Sequence, residues 1–262
     1  MHSNSLMPAL FVGHGSPMNA IEDNAFTRTL NHLPSLLPAT PKAVLCISAH
    51  WETQGTRVTT SSAPRTIHDF GGFPEELFAV EYPAPGSPEL ASRVLGLLET
   101  KSAKGDEQWG LDHGSWSLLR HMYPAANVPV VQLSLDRDLT PAQHYALGRK
   151  LQPLREEGVL ILGSGNIVHS LQLIQWDEAA EPYAWAVDFD AAIREFLLAR
   201  NDVGLMDYRK LLGRNAQLAV PTEEHYLPLL YIAALRRPDE PLSFFYEGIL
   251  HASISMRSLR IG

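Results

Sequence analysis

The sequence predicts an α/β fold around a mostly parallel sheet, and three observations carry that prediction. Strand-like apolar runs alternate with helix-like segments along the chain. Helix starts are marked by good caps, Ser87-Pro88 and Thr140-Pro141. Three of the apolar runs also deliver a histidine where the strand should stop: residues 9–13 lead to His14, 43–49 to His50, and 159–162 through Gly163-Ser164-Gly165-Asn166 to His169. In open α/β sheets ligands bind outside the carboxyl ends of the strands, so imidazoles at three such ends can converge on one point. Imidazole is the commonest protein metal ligand. The pattern predicts a metal site at the strand carboxyl ends.

The elements follow in order. After the first strand, residues 23–37 read as a helix broken by Pro34 and closed by Pro38. Residues 43–48 form the second strand and 56–60 a short third one. A loop rich in glycine and proline then covers 61–74 and contains Thr66-Ile67-His68-Asp69-Phe70-Gly71-Gly72-Phe73. Ser87 opens a helix whose Leu90, Val94, Leu97 and Leu98 make one apolar stripe. Asp112-His113-Gly114-Ser115-Trp116 precedes a helix through Met122, and 128–134 read as a buried strand. Thr140 caps a helix to Glu157, ended by Gly158 before the third histidine-terminated strand. Residues 188–200 form a helix with Phe189, Ile193, Phe196 and Leu197 on one face. Pro221-Thr222-Glu223-Glu224-His225 reads as a helix start continued through Leu235, and 242–246 and 254–259 as closing antiparallel strands. No repeat or long linker interrupts this series, so residues 1–262 are taken as one domain.

Composition narrows the function. With 45% hydrophobic and 19% charged residues the chain is an ordinary globular sequence. A formal net charge of −8 argues against a nucleic-acid partner and leaves a small molecule as the expected one. Cys46, the single cysteine, lies in an apolar run and reads as a core residue. Residues 1–8 lack a charged segment followed by an apolar one, and no apolar stretch approaches the roughly 18 residues of a membrane span. The expectation is a soluble, cytoplasmic protein with no membrane contact.

Of 11 histidines, six stand in loops or at strand ends: His14, His50, His68, His113, His169 and His225. His14 and His50 follow strands directly and make the best ligand pair, because metal geometry tolerates little positional error. Competing chemistries fare poorly. Gly13-His14-Gly15-Ser16 and Gly163-Ser164-Gly165-Asn166 lack the spacing of phosphate-binding glycine loops. Ser16, Ser115 and Ser164 lack a Gly-x-Ser-x-Gly elbow, and no His-Glu-x-x-His run exists. Glu224-His225 supplies two possible ligands in one step at a helix start; a carboxylate at Glu223 or Glu224 also complements the helix dipole, and a further role for one of the pair stays open. Trp51, Phe70, Phe73, Trp116 and Tyr226 stand beside the histidines and suggest an aromatic-lined mouth for a planar ligand.

These segments resemble the LigB-type (class III) extradiol ring-cleavage dioxygenases, and within them the 4,5-DOPA extradiol dioxygenase branch found in bacteria and plants. The resemblance rests on residues 8–18, Ser48-Ala49-His50-Trp51, 66–74, 82–88, 112–116, 163–169 and 221–228, and it runs nearly end to end. It implies a three-layer α/β/α domain with a central mixed, mostly parallel sheet. It further implies His14, His50 and His225 as ligands of one mononuclear metal. His169 matches the superfamily's acid/base position and in this branch also counts as a ligand; His113 matches a histidine that contacts substrate or oxygen. The implied reaction opens a catechol with O₂, L-DOPA giving a 4,5-cleaved muconate semialdehyde.

Ferrous ring-cleaving sites generally present two histidines and one carboxylate, whereas the third position here is His225, with Glu224 only its neighbour. Three or four histidines also suit zinc. Zinc is therefore expected in the protein as purified, and Fe(II) for dioxygenase activity. Two alternatives stand beside this one: a zinc-dependent hydrolase using His169 as base, and a metal-binding protein without turnover, like the Memo-type proteins.

Overall fold

Four parallel strands make the centre of the sheet, and they are largely buried on both faces. The computed structural model describes residues 6–99, 103–177 and 180–262. Its strands are β1 (Ala9–Gly13), β2 (Ala43–Thr53), β3 (Arg57–Thr59), β4 (Lys104–Asp106), β5 (Val130–Asp136), β6 (Val159–Gly165), β7 (Leu242–Tyr246), β8 (Ile249–Leu250), β9 (Ile254–Ser255) and β10 (Ser258–Ile261). Eight of them form one mixed sheet in the order β4-β3-β5-β2-β6-β1-β10-β7, while β8 and β9 make a separate hairpin. The central strands β5, β2, β6 and β1 run parallel; β10 and β7 close one side antiparallel.

The period-two alternation of the strands splits the core in two. Ala9, Phe11, Leu45, Ile47, Val131, Leu133 and Ile161 face one layer of helices, and Leu10, Val12, Val44, Cys46, Val130, Leu160 and Leu162 face the other. The first layer includes α3 (Pro88–Leu98), α5 (Pro141–Lys150), α7 (Ala184–Leu198), α8 (Asp202–Met206), α9 (Tyr208–Ala219) and α10 (Leu227–Ala234). The second contains α1 (Ala25–His32), α2 (Glu75–Phe78) and α4 (His113–Met122). This is the three-layer α/β/α arrangement, with Cys46 in its core. None of the described helices is long and apolar enough to cross a membrane.

Caps fix several boundaries. Ser87 accepts from Leu90 N, Thr140 shares a reciprocal capping box with Gln143, and Asp112 accepts from Ser115 N. Five expected elements shift. The helix from Thr140 ends at Lys150, because Pro153 cannot continue its hydrogen-bond ladder, and α6 (Pro153–Glu156) follows as a separate turn. β2 continues to Thr53, so His50 lies inside the strand, where the register against β5 slips between Ile47 and Glu52. His113 opens α4 instead of lying in a loop. His225 sits in a turn just before α10, since Pro228 sets that helix's first turn. The expected strand over 254–259 divides into β9 and β10.

Candidate metal centre

Strand register brings the histidines together. Gly13 of β1 pairs with Gly165 of β6, and Ser48 of β2 pairs with Ser164. The carboxyl ends of β1 and β6 are therefore level with Ser48 of β2, two residues before His50, and His14 follows β1 directly, its N–H donating to Gly165 O at 3.1 Å. The 221–226 turn is fastened to the same end: Asn166 N donates to His225 O at 2.9 Å. Only glycine fits beneath it, for a Cβ on Gly165 would lie 2.2 Å from that carbonyl oxygen. Gly114 plays the same part under His50, where a Cβ would meet Ser48 Oγ at 2.5 Å and the His50 ring at 2.9 Å.

Hydrogen bonds fix which nitrogen each ring offers. Ser164 Oγ donates to Gly114 O at 2.5 Å, so its lone pair is left to accept from His14 Nδ1 at 3.0 Å. Asp69 Oδ2 accepts from His113 Nδ1 at 3.0 Å and lies 3.2 Å from His50 Nδ1, and its Oδ1 accepts from His113 N. Glu224 Oε1 accepts from His225 Nδ1 at 3.1 Å and from Thr222 Oγ1 at 2.7 Å. Each outer nitrogen thus has an oxygen beside it, which leaves the Nε2 lone pairs for the interior of the site.

Those lone pairs meet. His14 Nε2 and His50 Nε2 are 3.1 Å apart, and with both Nδ1 atoms carrying the protons neither has a hydrogen to give the other. Two nitrogens each 2.0–2.1 Å from one tetrahedral ion would lie about 3.3 Å apart. The His225 ring stands 5.3 Å from His14 and 5.1 Å from His50, and its Nε2 is buried with no hydrogen-bond partner. His14 and His50 have ligand atoms within 4.8 Å of one on His113, and His225 has one within that reach of His169 and Glu224; these adjoining sets of donors, with the orphaned His225 Nε2, fit a divalent transition-metal ion.

Electrostatics agree. Burial pushes His14 and His225 well below the usual imidazole range, and the surrounding histidines add to it. His50 falls to about 3, through burial and then His113, and His169 to about 4 through burial. All four rings are neutral near pH 7, with lone pairs free for a cation or a proton. Burial works to raise the Asp69 carboxyl, but its hydrogen bonds and proximity to His113 and His50 outweigh this and hold it below its ordinary value. Beneath α4, Asp112 accepts from Ser48 Oγ and Gln132 Nε2, both at 2.7 Å. Burial and the nearby Asp69 push Asp112 up to about 6.

His169 is placed differently. Its ring lies face to face with His225, centroids 3.4 Å apart and planes 8° from parallel. A cavity of about 330 Å³ opens over these groups and is lined by His14, His50, His113, His169 and His225. Five of the six histidines singled out from the sequence thus share one site. His68 does not join them; its Nε2 bonds Val80 O at 2.9 Å and its ring packs on Phe70 and Trp116.

The expected aromatic mouth also changes. Phe73 lines the cavity, but Trp51 is buried and stacked on Trp109, and Trp116 and Tyr226 are core residues. Phe70 packs its ring against His113 instead. Trp176 supplies the other aromatic wall. Sequence reasoning missed the role of Asp69, Ser164 and Trp176; for Asp69 the signal was its place in the His68-Asp69-Phe70-Gly71-Gly72-Phe73 loop.

Strand-end imidazoles around an ion-sized gap, in a three-layer α/β/α fold, define a mononuclear metalloenzyme. The family of the catalytic LigB subunit of aromatic ring-opening dioxygenase matches residues 5–243. A 4,5-DOPA dioxygenase extradiol of Escherichia coli (strain K12) is 47% identical over 99% of this chain and 96% of its own length. The protein of that name from Portulaca grandiflora is 39% identical over 86% of this chain and 84% of its own. The crystal structure of an uncharacterized protein from Escherichia coli K12 superposes with a TM-score of 0.85 at 42% identity, covering 98% of this chain and 100% of the other. The chain belongs to the LigB family, and it is an extradiol ring-opening dioxygenase with a metal site built of histidines.

Proposed function

We propose that this enzyme opens the ring of L-DOPA between carbons 4 and 5, with His14, His50 and His225 holding one Fe(II). The observation that carries the ligand assignment is the 3.1 Å approach of the His14 and His50 Nε2 atoms, both without a proton, beside the orphaned Nε2 of His225. The DOPA assignment draws support from the relatives' names and from a cavity large enough for one substituted ring. The bound ion would acidify both catechol hydroxyls and, as iron, mediate electron flow to O₂.

The chain's own residues supply the rest. His169, neutral because burial lowers it to about 4, stands in the cavity wall to take a proton from a catechol hydroxyl. Its face-to-face packing on His225 fixes the ring plane. His113 is oriented by Asp69 through Nδ1, so its Nε2 is the nitrogen left for the cavity, where it would position oxygen or return a proton to the opening ring. Zinc, which has no redox chemistry, would occupy the same nitrogens and leave the enzyme idle. A cytoplasmic setting is the proposed one.

Protein purified without metal is reconstituted anaerobically with Fe(II) or with Zn(II), then given L-DOPA and air. A yellow muconate semialdehyde with matching O₂ uptake is expected from the iron form alone. No uptake with L-DOPA or any other catechol would sink this reading, and amide hydrolysis that tracks zinc would replace it with the hydrolase.

A further inference from the structure

The end of the cavity away from the metal histidines carries two side chains with no task in the chemistry above. Trp176 lines the cavity yet is 77% exposed, an unusual state for a tryptophan. His251 lines it too, with its ring 6.0 Å from that of Trp176. His251 sits at the tip of the β8–β9 hairpin, where Ser253 N bonds Leu250 O at 3.2 Å. The two central residues, His251 and Ala252, both have positive φ, 52° and 63°. Such a turn favours Asn-Gly; a histidine and an alanine there cost about 1 kcal/mol or more each. The tip is nonetheless held firmly, since Gln175 N donates to His251 O and Tyr183 N to Ala252 O. A strained residue held at the mouth of an active site invites a functional reading.

The His251 Nδ1 is buried without a partner, so Nε2 is the ring nitrogen left to meet a ligand. Apart from the histidines and the Trp176 indole, the one polar side chain of the described lining is Ser16, an uncharged hydroxyl whose Oγ accepts from Met18 N. No lysine, arginine, aspartate or glutamate lines it among the described residues. A ligand with a lone charge would find no counter-ion there. A zwitterion carries its own, and needs one N–H for its carboxylate and one π face for its ammonium.

We infer that Trp176 and His251 form a subsite for an amino-acid tail on the ring, the indole face receiving the ammonium and His251 Nε2–H the carboxylate. The subsite rests on the catechol reading above and extends it to the substrate's side chain. It sets selectivity for zwitterionic over singly charged catechols.

Anaerobic titration calorimetry on the metal-loaded protein tests it with four ligands: L-DOPA, dopamine, 3-(3,4-dihydroxyphenyl)propionate and 4-methylcatechol. Trp176→Leu should weaken L-DOPA and dopamine by about 3- to 30-fold, the worth of a cation–π contact, and leave the other two within about twofold. Trp176→Phe should recover part of the loss. His251→Asn keeps a residue that tolerates positive φ, so folding is preserved while the reach to the carboxylate is lost. It should weaken L-DOPA and the propionate by about 10-fold or more and spare dopamine and 4-methylcatechol. Equal weakening of all four, no weakening, or no binding by the parent would overturn the subsite. Selective binding without O₂ uptake in air would instead uphold it and overturn the ring-cleavage assignment of L-DOPA.

Discussion

The imidazoles of His169 and His225 are stacked, 3.4 Å between centroids and 8° from parallel. A nitrogen lone pair lies in the plane of its ring, and in-plane directions in two nearly parallel planes do not meet at a nearby point. The two rings therefore do not both aim at one ion. His225 is within ring contact of His14 and His50, whereas His169 among the described residues stacks on His225 alone. His225→Ala should lower metal affinity by roughly 100-fold or more, beyond the cost of losing an outer partner. His169→Ala should keep its metal and lose about 100- to 10,000-fold in kcat, the worth of a general base. Elemental analysis and turnover on the same samples check both, and loss of metal from His169→Ala would return His169 to the ligand set.

Asp69 is a single carboxylate oxygen shared by two imidazoles, His50 at 3.2 Å and His113 at 3.0 Å. Asp69→Asn puts an amide where both rings need an acceptor, and either ring is then free to turn. Metal affinity should fall about 10- to 100-fold, with a further fall in kcat from the loss of His113's orientation. Competition titration with a chelator reads the first, and steady-state kinetics at saturating iron the second.

Much of this centre is legible in the sequence because its parts are one-dimensional. His14 follows β1 directly, and the runs that end at His50 and His169 are continuous enough to mark buried parallel strands. What could not be read is pairing across the chain. Ser164 lies 150 positions from His14 and sets its proton, a relation that depends on β1 and β6 being neighbours. The slip in β2 that holds His50 inside a strand leaves no local mark, because the apolar run continues through Ala49 to Trp51. Trp51 itself was drawn inward by stacking on Trp109, a residue 58 positions away on a stretch with no regular pattern.

Ser164→Ala tests the proton assignment at His14. Without the Oγ acceptor, His14 loses the partner that keeps its proton on Nδ1, and the tautomer with Nε2 protonated becomes accessible. Metal affinity should drop about 10-fold while the fold holds, since Gly114 O is an acceptor that loses only one donor. An unchanged dissociation constant would show that another group fixes the ring.

His144 should make stability depend on pH far from the metal centre. It is fully buried in α5, its Nδ1 is 2.9 Å from Tyr231 Oη, and burial lowers it from 6.5 to about 4. Below about 6.5 the unfolded chain takes up a proton that the folded one refuses. The contribution is thus fully present above about 6.5 and is lost as pH falls towards about 4, by about 3 kcal/mol at most. The double variant His144→Leu/Tyr231→Phe removes the titrating ring and its partner together. Its melting temperature should gain on the parent's by about 5–10 °C between pH 7 and pH 4, and a constant difference across that range would refute the assignment.

Gly165→Ala strikes the junction between strand and turn. The new Cβ would lie 2.2 Å from His225 O, a backbone atom already bonded to Asn166 N, and 3.3 Å from Pro228. No side-chain rotation relieves such a contact, so the 221–226 turn must move away from β6. Overpacking of this kind costs about 1–3 kcal/mol, and the displacement carries His225 Nε2 away from the His14–His50 pair. The variant should melt several degrees lower and bind metal more weakly. Gly96→Ala, where a Cβ meets nothing within 4 Å, should show neither effect.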